Sequence, residues 1–452
     1  MVKRISTRPR LGFVGGGRGL ASHVGARLLA DLADNVGLTA ALSVAMAGSK
    51  QRDRGHDRGR VLVDAAVMVA DGGDAIGDIA AMAAQPRLFG EVASPSTLWR
   101  TLAAAGEHRV GRLKAARAAA RRAVWAAGGD PGFYVVDIDA TLVDSHSDKQ
   151  GAAGTYKGGY GFYPLMAYLD ATGECLAGLL RCGNAGSNTA SDHVEVLGDA
   201  LAQIPVDPRD TEVTVRADSA GCTREFLEAC RSDGVRFCVG HPLSIDIAQK
   251  ILEMPEGCWQ PALSADGAEP REHAEVAEIT DAADLSHWPE GTRMIARRED
   301  PHPGAQLTFT DAAGRRLQVL ITDIADNADD GTDIAYIEAL HRGRGRAERQ
   351  ICDHKATGLA KLPSHSFAIN CAWLQITMCA HDLLAWTRQL ALDGDLAKAE
   401  PKRLRHCLLH TAGRLVRTGR QNLCRLPDDW PWTPHLLTAH ERIHNLNLPL
   451  LI

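Results

Sequence analysis

The chain changes periodicity near residue 130, and that change limits what it can fold into. Residues 20–125 carry apolar side chains at helical spacing, as in "ASHVGARLLADLADNVGLTAAL". "SPSTLWRTLAAAG" opens a helix with Ser94 as its N-cap and Pro95 at the first helical position. The breaker "GGDPG" ends this pattern. Then come three strands, "FYVVDIDATLV", "GFYPLMAYLD" and "CLAGLLRCG", the last two a hairpin closed by "ATGE". "TASDHVEVLGDALAQI" reads as a helix, "TEVTVRADS" as a strand, "GCTREFLEACRSDG" as a helix and "VRFCVG" as a strand. The order is β-β-β-α-β-α-β. Residues 255–330 switch to short polar strands, "AEVAEIT", "TRMIARRE", "AQLTFTD" and "RRLQVLITD", which predict a β-rich insertion. Helical spacing returns from "DIAYIEAL" onward. Its most apolar helix, "FAINCAWLQITMCAHDLLAWTRQLAL", is expected against the sheet.

A chain of 452 residues has room for two or three domains. No run of 18 apolar residues predicts a membrane span, and the basic N-terminus lacks the apolar stretch of a secretory signal; a cytoplasmic protein is expected. None of the 11 cysteines forms a C-x-x-C pair, which argues for reduced thiols and against a structural zinc site. The net charge of -6 argues mildly against nucleic-acid binding, but the bases are clustered. Arg109 to Arg122 holds six bases and no acid, and Lys398 to Arg420 holds seven bases against Glu400. "VGGGRGLA" imitates a phosphate loop, yet Leu20 stands where the last glycine should be and no G-K-[ST] follows; a flexible joint is the better expectation.

In "VVDIDATLV", Asp137 and Asp139 are two residues apart on a strand and share a face. Two carboxylates together are costly unless a cation neutralises them, and Mg²⁺ or Mn²⁺ held by oxygen ligands is the natural solution. The string resembles the first motif of haloacid-dehalogenase-type phosphatases, D-x-D-x-T, with Asp137 as nucleophile and Asp139 as acid and base. That fold calls for strand–helix alternation, whereas a meander follows here, and Asp323 and Asp326 are a poor closing pair. The alternative is a polynucleotidyl transferase on a ribonuclease-H-like core, which runs through the strand and helix order above. Its first acid lies on the first strand, its second after the fourth strand, here Asp218 in "VTVRADSAG", and its third on a later helix.

"HRGRGRAERQICDHK" supplies that helix. His341, Arg344, Glu348 and Lys355 fall within an arc of roughly 60° on one helical face. A salt-bridged surface stripe is the ordinary explanation of such a pattern. The spacing nevertheless reproduces R-x3-E-x6-K. With "DIDATLVDSHSDKQGAAGTYKGGYGFYPLMAYLD", "RADSAG", "NCAWLQITMCAHDLLAW" and "WPWTPHL", the chain resembles a DDE transposase of a bacterial insertion sequence, in the group numbered thirteen-eighty. His341 stands where that group has tyrosine.

The resemblance implies that Asp139, Asp218 and Glu348 hold two Mg²⁺ or Mn²⁺ ions, with Asp137 as a further ligand, a partner behind the ligands, or the first acid in place of Asp139. It implies phosphate contacts from His341, Arg344 and Lys355, and a DNA path past Lys149, Lys157 and "GTYKGGYG". Arg100, with the stripe Lys114, Arg117 and Arg121, would contact DNA from a helix-turn-helix, the alternative being a solvated face of a bundle. Trp259 or Trp288 would stack on a displaced base, unless both are core residues. The expected partners are the terminal inverted repeats and target DNA, bound by a homodimer. The expected organisation is a helical DNA-end-binding domain (1–128), catalytic core (129–254), β-rich insertion (255–332), core helices with Glu348 (333–392) and a helical C-terminal region (393–452). A non-catalytic DNA-binding relic remains an alternative.

Overall fold

A computed structural model describes residues 11–50, 55–264, 267–301, 311–312, 314–326, 333–419 and 421–448. The first third is helical: α1 (Ala26–Asn35), α2 (Leu38–Ala45), α3 (Arg58–Ala70), α4 (Pro95–His108) and α5 (Val110–Val124). Asp57 caps α3 by accepting the Arg60 amide. Ser94 caps α4 with Pro95 in its first turn, as the sequence predicts.

The sheet begins with β1 (Tyr134–Ala140), β2 (Leu165–Leu169) and β3 (Cys175–Leu179), an antiparallel meander. Helix α6 (Ala190–Leu201) leads to β4 (Val213–Ala217), and α7 (Arg224–Ser232) to β5 (Arg236–His241). β4 pairs parallel with both β1 and β5. This is the β-β-β-α-β-α-β order of a ribonuclease-H-like core. The strands expected as an insertion are β6 (Gln260–Leu263), β7 (Pro270–Glu278), β8 (Arg293–Glu299) and β9 (Arg315–Thr322). They continue the same sheet, because β9 pairs antiparallel with β5, Ile321 opposite Val239. The order is β6-β7-β8-β9-β5-β4-β1-β2-β3. The segment "AQLTFTD" lies almost wholly outside the described residues.

Helices α8 (Ile334–Arg342), α9 (Gly345–His354) and α10 (Phe367–Ala391) follow. α10 buries Trp373 and Trp386 completely and packs on α3, α4, α5 and β3, so it faces the helical region more than the sheet. The C-terminal region is not all-helical. A hairpin, Gly413–Thr418 with Gln421–Arg425, precedes α11 (Thr433–His444). Leu20–Ala21 adds a third strand to that hairpin, Leu20 opposite Arg414. Gly19, in the stretch expected as a flexible joint, has a φ of 77°, and a Cβ there would lie 2.6 Å from the Leu415 carbonyl oxygen. Only glycine allows that approach.

The basic stripe of α5 points inward, contrary to its expected role on DNA. Arg117 and Arg121 are fully buried. Both donate to Asp382 of α10, at 2.8 and 2.7 Å, and Arg121 also donates to Glu174 at 2.9 Å. Asp382 accepts the Cys175 amide at 2.8 Å, and Glu174 accepts from Trp125 and Trp386. Lys114 pairs with Asp199 of α6. The stripe therefore joins the helical region to the β3 side of the sheet and does not face a ligand. Breaking a buried pair strands the remaining charge in a medium that cannot solvate it. Asp382→Ala is expected to lower stability by about 3–5 kcal/mol, measured by urea unfolding followed by circular dichroism. A loss under about 1 kcal/mol, the range of exposed pairs, would show that the network does not carry this load.

Candidate active site

Two of the three expected acids meet because of strand register. Ile138 of β1 lies opposite Ala217 of β4 in a parallel pair, so Asp139 and Asp218 are neighbours at the C-terminal edge of the sheet. Asp218 caps a short turn, its Oδ1 accepting the Ala220 amide at 3.0 Å. The Asp139 carboxylate accepts from its neighbour Ala140 N at 2.8 Å and from Arg344 Nη1 at 3.3 Å. Glu348 comes from the first turn of α9, is exposed, and accepts no hydrogen bond from the described residues. Burial raises the Asp139 carboxyl to about 6; Arg344 opposes the rise, and the charges of Asp218 and Glu348 add to it. These are oxygen-only donors from three elements, with one guanidinium as counter-charge. Oxygen donors of this kind suit a hard divalent cation, although among the described residues the ligand atoms of the three acids do not all lie within 4.8 Å of one another.

Asp137 has a different fate. Its two oxygens accept from Arg216 Nε and Nη2, at 2.7 and 2.6 Å, with both side chains buried. It is thereby committed to a guanidinium, which corrects its expected place among the metal ligands. It is also unavailable as the nucleophile of the phosphatase alternative. Burial pushes its carboxyl up to about 6 while Arg216 pulls it down, so it remains ionised at neutral pH. Arg216 also contacts Asp170 at 3.1 Å and donates to the Leu340 carbonyl at 2.6 Å. Arg346 grips Asp170 from α9 with two bonds, 2.6 and 2.5 Å. The Leu340 oxygen is free to accept because the Arg344 amide bonds to His341 instead. Gly343 lies between the two arginines; a Cβ there would meet Arg216 Nη1 at 2.5 Å and Arg346 Nη2 at 2.8 Å. Sequence reasoning missed Arg216, Asp170 and Arg346. The available signal was an arginine two residues before Asp218, which shares a strand face with it.

The expected phosphate-binding residues divide. Lys157 and Arg100 are exposed, and Lys355 is half-buried. Burial lowers the Lys355 ammonium, Asp144 opposing and Lys157 adding, so the two lysines lie in one electrostatic neighbourhood. Lys149 donates to the Leu362 carbonyl. His341 does not serve as a cation. Burial, with Arg344 beside it, drives its imidazole down to about 3, and its buried Nε2 has no hydrogen-bond partner. Trp259 lies against Arg298, 4.2 Å from ring centre to guanidinium carbon, and is nearly buried, the core alternative. Trp288 is half-buried and meets His241 edge-on at 5.9 Å. His241, Asp218, Arg297, Arg316, Arg342 and Arg344 line a cavity of about 790 Å³ beside the acids.

Residues 3–448 match the family described as transposase DDE domain, group 1. The chain belongs to that family. As a DDE transposase it is a polynucleotidyl transferase and endonuclease of a class that uses divalent metal ions. No curated protein matches. Among solved structures, the chain is loosely similar to a piggyBac transposase synaptic complex with hairpin DNA. Identity is 10% and the TM-score 0.41, over 94% of this chain and 83% of that one. Among the described residues of this transposase, no single helix is long and apolar enough to cross a membrane.

Two outcomes follow from the electrostatics. Arg216→Met leaves Asp137 buried without a partner and is expected to cost about 3–5 kcal/mol; adding Asp137→Leu should recover a large part of it. Urea unfolding of both variants measures this, and a double variant no better than the single one would count against the pairing. The second outcome concerns pH. The folded-state carboxyl of Asp139 titrates near 6, above its ordinary 3.8, so ionising it destabilises the metal-free protein progressively as pH rises from about 4 to 6. A divalent ion removes that cost but must displace a proton below about pH 6. Mn²⁺ should therefore raise Tm at about pH 7.5 and do so little at about pH 5, as thermal scans would record.

Proposed function

We propose that this DDE transposase mobilises a bacterial insertion sequence by cut-and-paste transposition. It acts in the cytoplasm, binding terminal inverted repeats and joining the released ends to target DNA. Asp139, Asp218 and Glu348 would hold the Mg²⁺ or Mn²⁺ ions, two in this reading. Such a pair supplies the Lewis acidity for in-line displacement at phosphorus when bound. The support for the reading is that burial and the charges of Asp218 and Glu348 raise the Asp139 carboxyl, against Arg344 and the Ala140 amide.

The protein's own residues have separable tasks. Arg344 and Lys355 bracket Glu348 on one helical stripe and hold the phosphates on either side of the cleaved bond. Lys157 extends that path, with Lys149 fixing the turn through its bond to Leu362. Arg100, on the exposed side of α4, contacts the DNA backbone of the end. Trp288, next to the cavity by Asp218, stacks on an unpaired base. A homodimer holds two element ends together. In this assignment residues 1–128 serve end binding, and 129–392 the chemistry.

The test is a duplex bearing the element's own ends. Wild-type protein with Mg²⁺ or Mn²⁺ should nick it. Glu348→Gln removes one ligand charge and should reduce nicking by about 100-fold or more, while a mobility shift shows the duplex still bound. Unchanged nicking by that variant would remove Glu348 from the chemistry.

A further inference from the structure

A second group of cation ligands lies at the opposite end of the helical region, where the N-terminal and C-terminal segments cross. The antiparallel register that sets Leu20 opposite Arg414 and Ala21 opposite Gly413 runs on past the strand, with the Val24 amide donating to the Thr411 carbonyl at 2.9 Å. His23 and His410 therefore meet, their rings stacked with centroids 4.0 Å apart. Between them and α3 stands Asp71, the C-cap of that helix. His23 Nδ1 is 2.6 Å from Asp71 Oδ2, and His410 Nε2 is 3.4 Å from Oδ1 and 2.9 Å from the Asp71 carbonyl oxygen. One candidate ligand atom from each residue lies within 4.8 Å of the other two.

We propose that His23, Asp71 and His410 form a binding site for a zinc-class divalent ion. That ion would tie the N-terminal segment and the approach to the C-terminal hairpin onto the end of α3. Four observations point to a cation there. Asp71 Oδ1 is buried and, among the described residues, accepts no hydrogen bond, His410 Nε2 standing 3.4 Å away and bonding to the Asp71 carbonyl instead. The carboxylate sits at the negative end of a helix dipole, where a second negative charge is unfavourable alone. The nearest permanent cation, Arg405, donates to the carbonyls of Ala70 and Val69 and not to Asp71. His23 holds a φ of 56°, a left-handed conformation that a residue with a β-carbon adopts only at a cost.

The ligand chemistry selects the metal. Two imidazoles and one carboxylate, with a water completing the set, suit zinc and its neighbours, whereas Mg²⁺ prefers oxygen donors. At zinc–ligand lengths of about 2.0–2.2 Å, ligand atoms on a tetrahedron stand about 3.4 Å apart. The His410–Asp71 pair already has that spacing, and the His23–Asp71 pair must open by less than about 1 Å. His23 is half-buried and His410 exposed, which leaves a side for water. Cysteine spacing had argued against zinc, but this donor set uses no cysteine. A comparable group, Asp31 with His440 and His444, differs where it matters: Arg27 already donates to Asp31 at 2.7 Å, so a permanent cation occupies that role.

The test uses the full chain in excess Mg²⁺, with Zn²⁺ or Co²⁺ as probe. The wild type should take up one zinc per chain, gain a few degrees in Tm at about 100 times Kd, and show the visible absorption of four-coordinate Co²⁺. His23→Gln, His410→Gln and Asp71→Asn should each lose that uptake and the cobalt spectrum, while His444→Gln keeps both. The proposal is overturned if the wild type takes up no zinc or if all three variants retain it. Should a variant fail to fold, protection of wild-type His23 and His410 from diethylpyrocarbonate decides. Slower modification of both in zinc supports the site, and unchanged rates overturn it.

Discussion

The active end of this protein depends on one buried guanidinium. Arg216 is reached by Asp137 from β1, by Asp170 from the turn after β2, and by the Leu340 carbonyl from α8. β1, β4 and α8 each carry, or lead toward, one of the expected acids. Asp139 is two residues beyond Asp137 on β1, Asp218 two beyond Arg216 on β4, and Glu348 one turn past the Gly343 crossing. Fixing the guanidinium therefore fixes three chain segments that are distant in sequence. In a low-dielectric interior such a network holds its geometry firmly, because any partner that leaves strands a charge.

The same principle works at the other side of the sheet. Arg117 and Arg121 face Asp382 and Glu174, with two tryptophan N–H groups closing the set. Helical region and sheet are thus joined by buried charge as well as by apolar burial along α10. Both networks use arginine, whose planar fork can satisfy two or three acceptors at once. Asp139, Asp218 and Glu348 are left outside these closed networks, with Arg344 as a counter-charge at Asp139. That leaves a concentration of negative charge at the sheet edge where a divalent cation is useful.

Much of the fold was legible in the sequence. The breaker after α5, the period-two strands and the alternation that follows gave the core its order, and Ser94 with Pro95 marked a helix start. The motif spacing named Asp139, Asp218 and Glu348; strand register makes the two aspartates neighbours, and α9 carries Glu348. Less was legible where a residue's meaning depends on what faces it. A basic stripe on α5 looks the same in sequence whether it meets phosphate or buried carboxylate, and only the acids at 174 and 382 decide. Asp137 looked like a second ligand for the same reason. The C-terminal hairpin was missed because its strands are short and exposed and its third member, Leu20–Ala21, comes from the other end of the chain.

The sequence by itself determined the local periods and the order of strands and helices, because these follow from neighbours a few residues apart. Tertiary structure alone decided which charges are partners and which are free. That choice was made by desolvation, which depends on what lies across the interior and not on what lies along the chain.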